Sequence, residues 1–194
     1  SSSVGMLDLH SMLKASRLLS QEVQLDALVQ KLLGIVLENA GAEYGAIVLC
    51  EEEQLTVEAV GRFNEGAMVE YDRVTRPLQN VTDRDALSLP VELLEYVQLS
   101  REMLVLNQPA EDARFAQNSY LEARRPKSVL ALPVLNQGRM VAIIYVENIL
   151  LEGAFTERHI KTLELLGAQA AISLVNAHHV ENLERKVAER TEEL

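Results

Sequence analysis

Apolar residues recur along this chain with two different periods, and the switches between them mark the elements. Leu25, Leu28, Val29, Leu32, Leu33 and Val36 follow intervals of three and four, the spacing that lines one face of an α-helix, and Asn39 to Gly41 supply a C-terminal stop. A weaker helical pattern over 7–19 precedes it, carried by Leu9, Met12, Leu13 and Leu19. Strand-like runs then occupy 44–50 and 55–60. Glu51, Glu52, Glu53 and Gln54 separate them, which predicts a hairpin with an acidic, solvated turn.

Between 61 and 102 the pattern is broken by Gly61, Gly66, Pro77 and Pro90. A strand over 68–74 and a helix over 90–100 are predicted, the helix having Pro90 in its first turn and Val91, Leu94 and Val97 on one side. A short strand over 103–106 follows. Pro109 and Pro126 then enclose an irregular segment with a short helix over 115–123, the place for a lid or pocket wall. Strands over 128–135 and 140–146 are joined by a turn at 136–139. In both, the two alternating sets are apolar: Val129 and Ala131 against Leu130 and Leu132, Ala142 and Ile144 against Val141 and Ile143. A half-wet strand alternates, so these are covered on both faces. Helices at the chain ends can cover one face, and the irregular middle segments must cover the other, where a cavity can form. Pro133 lacks a donor and is predicted at a bulge or an unpaired position. The order of elements predicts an α+β fold with an antiparallel sheet.

The last stretch, 155–194, has no proline and one glycine, Gly167. Thr156 is a good N-cap, and Phe155 can pack on Ile160 as a hydrophobic staple. A continuous helix to Leu194 would be roughly 58 Å long, whereas a domain of about 150 residues is only about 38 Å across. This helix is therefore expected to leave its globule. Val180, Leu183, Val187 and Leu194 follow a 3-4-3-4 spacing interrupted by Arg190, while Leu163, Leu166, Ala170, Ser173 and Ala177 follow a second seam out of phase with it. One stretch is expected to pack on its own domain and the next on a partner, with the small Ala170, Ser173 and Ala177 allowing close helix approach. The expectation is a parallel homodimer through the terminal helices.

With 48% hydrophobic residues in 194, the chain can bury a full core. Its net charge of −11 replaces attraction to nucleic-acid phosphate by repulsion, and an anionic membrane surface is disfavoured for the same reason. No apolar run approaches the ~20 residues needed to span a bilayer. One cysteine, Cys50, excludes an intrachain disulfide framework and fits a reducing cytoplasm; it reads as a small buried hydrophobe. The chain begins Ser-Ser-Ser and stops within a helical pattern. Both ends read as cuts in a longer protein, although a processed terminus would look the same.

The chemical inventory is short. No phosphate-cradling glycine loop, His-Glu-x-x-His, Gly-x-Ser-x-Gly or cysteine pair occurs, so no catalytic role is expected. His178 and His179 are adjacent on a helix, point about 100° apart and do not converge on a metal.

The runs SVLALPVLNQGRMVAIIYVENILLEGAFTERHIKTLELLGAQAAISLVNA and GAEYGAIVLCEEEQLTVEA resemble the GAF family, the small-molecule-sensing regulatory domains of phosphodiesterases, cyclases and bacterial sensor kinases. The likeness extends over 25–178 and is greatest to the GAF modules of large bacterial multidomain sensor kinases. The ending LERKVAERTEEL is similar to the signalling helix that leads such modules into a histidine kinase or cyclase. The resemblance implies a six-stranded antiparallel sheet with the end helices on one face and a ligand pocket on the other. It divides the chain into an N-terminal helix (1–23), a sensor domain (24–178) and the start of a signalling helix (179–194). Bilin-attaching branches use a cysteine in the pocket wall, where none stands here. Haem-binding members use a pocket histidine, but His10, His159, His178 and His179 lie in the end helices. The methionine sulfoxide reductases of this fold need several cysteines. The Asn-Lys-Phe-Asp-Glu signature of cyclic-nucleotide binders is absent. No bilin or haem is expected.

By resemblance Tyr145 takes a ligand-facing place. Alternation adds Ile143, then Ser128 and Leu130 on the neighbouring strand and Ala46 and Val48 on the first, with Tyr120 closing the site from the lid. The same side chains would otherwise pack a closed core. The expected function is a cytoplasmic, non-catalytic module that senses a small molecule and signals through a dimeric helix to a kinase or cyclase output. A ligand-free coupling module is the alternative, and a small-molecule enzyme a distant third.

Overall fold

The structure, a computed structural model, describes residues 2–81 and 88–192. Two helices, α1 (Ser2–Ser20) and α2 (Leu25–Ala40), precede strands β1 (Tyr44–Glu51), β2 (Gln54–Asn64) and β3 (Ala67–Pro77). Helix α3 (Val91–Ser100), strand β4 (Leu104–Leu106) and the short helix α4 (Ser119–Arg124) form the middle segment. Strands β5 (Ser128–Asn136) and β6 (Arg139–Asn148) lead into α5 (Glu157–Glu192). The six strands make one antiparallel sheet in the order β3-β2-β1-β6-β5-β4. The expected α+β architecture is the one observed.

Three hairpins set the registers. Each turns on two residues with positive φ: Glu52 and Glu53 (48° and 66°), Glu65 and Gly66 (49° and 82°), Gln137 and Gly138 (50° and 77°). That is the type I′ pattern, whose twist matches the right-handed twist of paired strands. Asn136 and Arg139, expected in the turn, are paired with each other in the ladder. Pro133 lies two residues beyond Ala131, the last position of β5 paired to β4, and close to the register shift at Val134/Leu135. Its missing donor costs no ladder bond on that side.

Both faces of the sheet are covered. On one face, Leu28, Val29, Leu32, Leu33 and Val36 of α2 and Leu163, Leu166 and Ala170 of α5 bury against Ile47, Leu132, Ile144 and Val146. Helix α5 lies so close to β5 that a Cβ on Gly167 would stand 3.1 Å from Leu132 Cδ2. On the other face, a lid built from α3, α4 and the connecting segments packs Leu89, Leu93, Leu94, Val97, Phe115 and Leu121 over Val48, Val57, Val129 and Ile143. The helix start at Thr156 is as expected: Ile160 N–H donates to Thr156 O at 3.0 Å, and Phe155 is buried in the core that Ile160 packs against. Helix α4 begins four residues later than its pattern, because Pro109 to Asn118 form tight turns before the Asn118 side chain caps Leu121 N–H at 3.1 Å. Among the described residues no helix is long and apolar enough to cross a membrane.

Candidate functional site

The residues singled out beneath the lid divide between the two faces. Ala46 pairs with Tyr145 and Val48 with Ile143 across β1 and β6. Directly opposed residues point the same way, so these four share the lid face, where Tyr120 joins them. Ser128 and Leu130 do not. Tyr145 stands opposite Ala131 on β5, which gives the lid face of that strand to Val129 and Ala131 and turns Ser128 and Leu130 toward the helices. Leu130 packs in the helix-side core. The Ser128 hydroxyl donates to Leu151 O at 2.7 Å and accepts from Ala154 N–H at 3.0 Å, pinning the loop that enters α5.

One further residue organises the lid face. Glu147, two positions after Tyr145 and on the same side, is fully buried. The hydroxyls of Tyr120 and Tyr145 both donate to its Oε2, at 2.7 and 2.8 Å. Arg124 Nε donates to Oε1, and the Arg124 guanidinium stacks 4.4 Å from the ring centroid of Tyr44. Tyr120 and Arg124 stand one turn apart on α4, whose cap Asn118 also donates to Glu92 Oε2 of α3 at 3.0 Å. Burial is the main cause that pushes the Tyr44 phenol up to about 12, with the Glu147 charge adding to it. The phenols of Tyr120 and Tyr145 are also raised, by burial and then by Glu147. Burial works against the Arg124 charge, but Glu147 and Tyr120 outweigh it and the net shift is upward. Three donors of this knot converge on one carboxylate, and the side chains around it are buried on the lid face.

Two hollows open elsewhere. A cleft of about 780 Å³ lies where the β1–β2 and β5–β6 turns meet α5, lined by Cys50, Glu51, Arg101, Arg139, His178 and His179 among others. His178 Nε2 stands 3.0 Å from Glu51 Oε1 there, and burial, followed by the Glu53 charge, raises the Cys50 thiol. A groove of about 320 Å³ runs between α1, α2 and the β2–β3 turn, past Leu18, Ile35, Phe63 and Met68. Among the described residues no group of three or more His, Cys, Asp or Glu is placed to hold a metal.

The two seams of α5 separate as their phases require. Leu163, Leu166, Ala170, Ser173 and Ala177 are buried against their own domain. Ala170, Ser173 and Ala177 are therefore not partner contacts; their small size lets α5 settle against the rest of its own domain. Leu183 and Val187 are exposed at 63% and 64% and Val180 is half-buried, while Leu194 lies outside the described residues. The outward face of α5 over the domain carries two more apolar side chains, Leu165 and Ile172, at 61% and 54%. Leu9 and Leu13 of α1 are exposed at 60% and 61%. From Leu165 to Val180 the helix contains no Asp, Glu, Lys or Arg, although half of that stretch faces outward.

Glu147, Arg124 and Tyr44 escaped the sequence reading. The available signal was a glutamate one residue past a fully apolar strand and on the face of Tyr145.

A family model for the GAF domain matches residues 24–174. Over 87 residues, 45% of the chain, the sequence is 34% identical to hybrid signal transduction histidine kinase G of Dictyostelium discoideum, covering 2% of that protein. Over 192 residues, 97% of the chain, it is 26% identical to peroxide stress-activated histidine kinase mak3 of Schizosaccharomyces pombe, covering 8% of that protein. The chain thus spans less than a tenth of either curated relative. Among solved structures, the GAF domain of an Acinetobacter phosphoenolpyruvate-protein phosphotransferase superimposes with a TM-score of 0.64 at 17% identity, over 91% of this chain and 98% of that one.

Proposed function

This chain belongs to the GAF domain family, and from that premise we propose that it is a regulatory module which governs a histidine-kinase-type output through a parallel pair of α5 helices. The observation that carries the reading is the outward face of α5. In a chain of net charge −11, sixteen consecutive residues without a charge, exposing Leu165 and Ile172, continue into the exposed Leu183 and Val187. Intervals of seven, eleven and four place these side chains on one stripe, the pattern by which helices pair in water. The exposed Leu9 and Leu13 belong to α1, which packs against α5, and on this reading they join a four-helix contact. Kinase relatives support the output, and a cytoplasmic setting goes with it.

The input is the finer question. A small molecule bound beneath the lid is one reading, with Ala46, Val48, Tyr120, Ile143 and Tyr145 as its walls. The second is coupling without a ligand, in which α1 and the sheet relay a change to α5. The filled lid face and the knot on Glu147 favour the second. Neither reading requires a bilin, haem or metal.

Sedimentation at high micromolar concentration tests the pair of helices. The chain is expected to run as a dimer, and Ile172→Glu with Leu183→Glu as a folded monomer, because like charges would face each other across the seam. A monomeric parent chain would defeat the proposal.

A further inference from the structure

The knot around Glu147 gathers donors from the lid and from β6 on one carboxylate. Two phenol hydroxyls reach one oxygen, at 2.7 and 2.8 Å, and a guanidinium reaches the other. The charge they surround is fully buried, a placement that is costly unless the charge is paired and hydrogen-bonded. Tyr145 shares the strand of Glu147, but Tyr120 and Arg124 come from α4, and Tyr44 of β1 supports the guanidinium with its ring. The site therefore joins the lid to the central strands through a single anion.

We propose that Glu147 is a built-in ligand: its carboxylate occupies, from within the chain, a lid-side site for small monocarboxylates, and its capture by α4 fastens the lid. The atoms beyond Cβ are one methylene and one carboxylate, the heavy atoms of acetate. Glu147→Ala therefore leaves a vacancy of that shape with its three donors in place. While Glu147 is seated, no external carboxylate reaches these donors. Strand β6 runs from this residue into Asn148, whose Oδ1 accepts from Leu150 and Leu151 N–H at 2.9 and 2.7 Å. Release of Glu147 would thus act on the loop that enters α5. The inference stands whether or not the chain dimerises, so a monomer in sedimentation leaves it intact.

Chemical rescue tests it. Glu147→Ala is melted in sodium acetate, sodium formate and sodium chloride at equal ionic strength near pH 7, beside the parent chain. Acetate is expected to raise the melting temperature of the variant by roughly 3 °C or more over chloride, as a ligand binding only the folded state does. The parent chain should not respond, and Tyr145→Phe added to the variant should weaken the rescue. Equal effects of acetate and chloride, or an equal gain in the parent chain, overturn the proposal. Should Glu147→Ala not fold, Glu147→Gln keeps the shape and loses the charge. Amide exchange over α4 should then quicken at least about tenfold relative to α2, and unchanged protection of α4 counts against the proposal.

Discussion

The two faces of this sheet are closed by different means. The helix side is covered by regular elements: α2 and α5 each lay an apolar stripe on the strands, and Gly167 lets the backbone come down onto Leu132. The lid side is covered by short pieces and turns with no stripe of comparable length, and these are gathered at one end by a polar knot. Each side also buries one glutamate. Glu58 sits at the β2 bulge, left without a partner on β1, and meets Arg73 of β3, which also touches Asp26 of α2. Glu147 meets two phenols and Arg124. The lesson is that periodic burial suffices where helices are long. Irregular segments need a directional anchor, because their apolar area alone does not fix where they sit.

Substitutions should expose that asymmetry. The largest effect is expected from Glu147→Ala, about 3–5 kcal/mol in denaturant unfolding, since it strips the half-buried Arg124 guanidinium of its counter-charge and orphans two buried phenols. A cost near 1 kcal/mol would mean that the lid is held by packing alone. Leu33→Ala, at a fully buried position of α2, should cost about 2–5 kcal/mol through lost transfer and a cavity, and should leave lid protection in hydrogen exchange unaltered. Tyr145→Phe should remove one hydrogen bond to a charged group, about 1.5–3 kcal/mol, and loosen α4 before α2. The smallest effect is an alkaline one. The phenols of Tyr44, Tyr120 and Tyr145 hold their protons in the folded state to higher pH than the ordinary value of 10. Above that value the unfolded chain releases protons that the folded chain keeps, so stability falls as pH rises from about 10, through about 12 for Tyr44. A spectrophotometric titration should show these phenols ionising only as the protein unfolds, and Tyr145→Phe should shallow the decline.

What could be read from the chain follows the same division. The stripe of α2, the helix start at Thr156 and the two-faced strands β5 and β6 are local patterns, and each appears in the fold. The facing of Ser128 and Leu130 was not readable in that way. Both alternating sets of β5 are apolar, so only the register with β6 decides which set meets the lid, and that register depends on a two-residue turn. The small residues Ala170, Ser173 and Ala177 permit close approach of any neighbour, and nothing local says whether that neighbour is a partner's helix or the chain's own domain. The knot draws on β1, α4 and β6, over separations as long as from Tyr44 to Glu147, and no short-range pattern announces it. Its one trace was a charge placed at the end of a buried strand.

On this reading the module is closed on its lid side by its own carboxylate and acts through paired helices. Native mass spectrometry of the freshly purified chain tests both halves at once. The expected species has a mass of twice 21.6 kDa with nothing added; a monomer, or a stoichiometric small molecule retained on each chain, would overturn this reading.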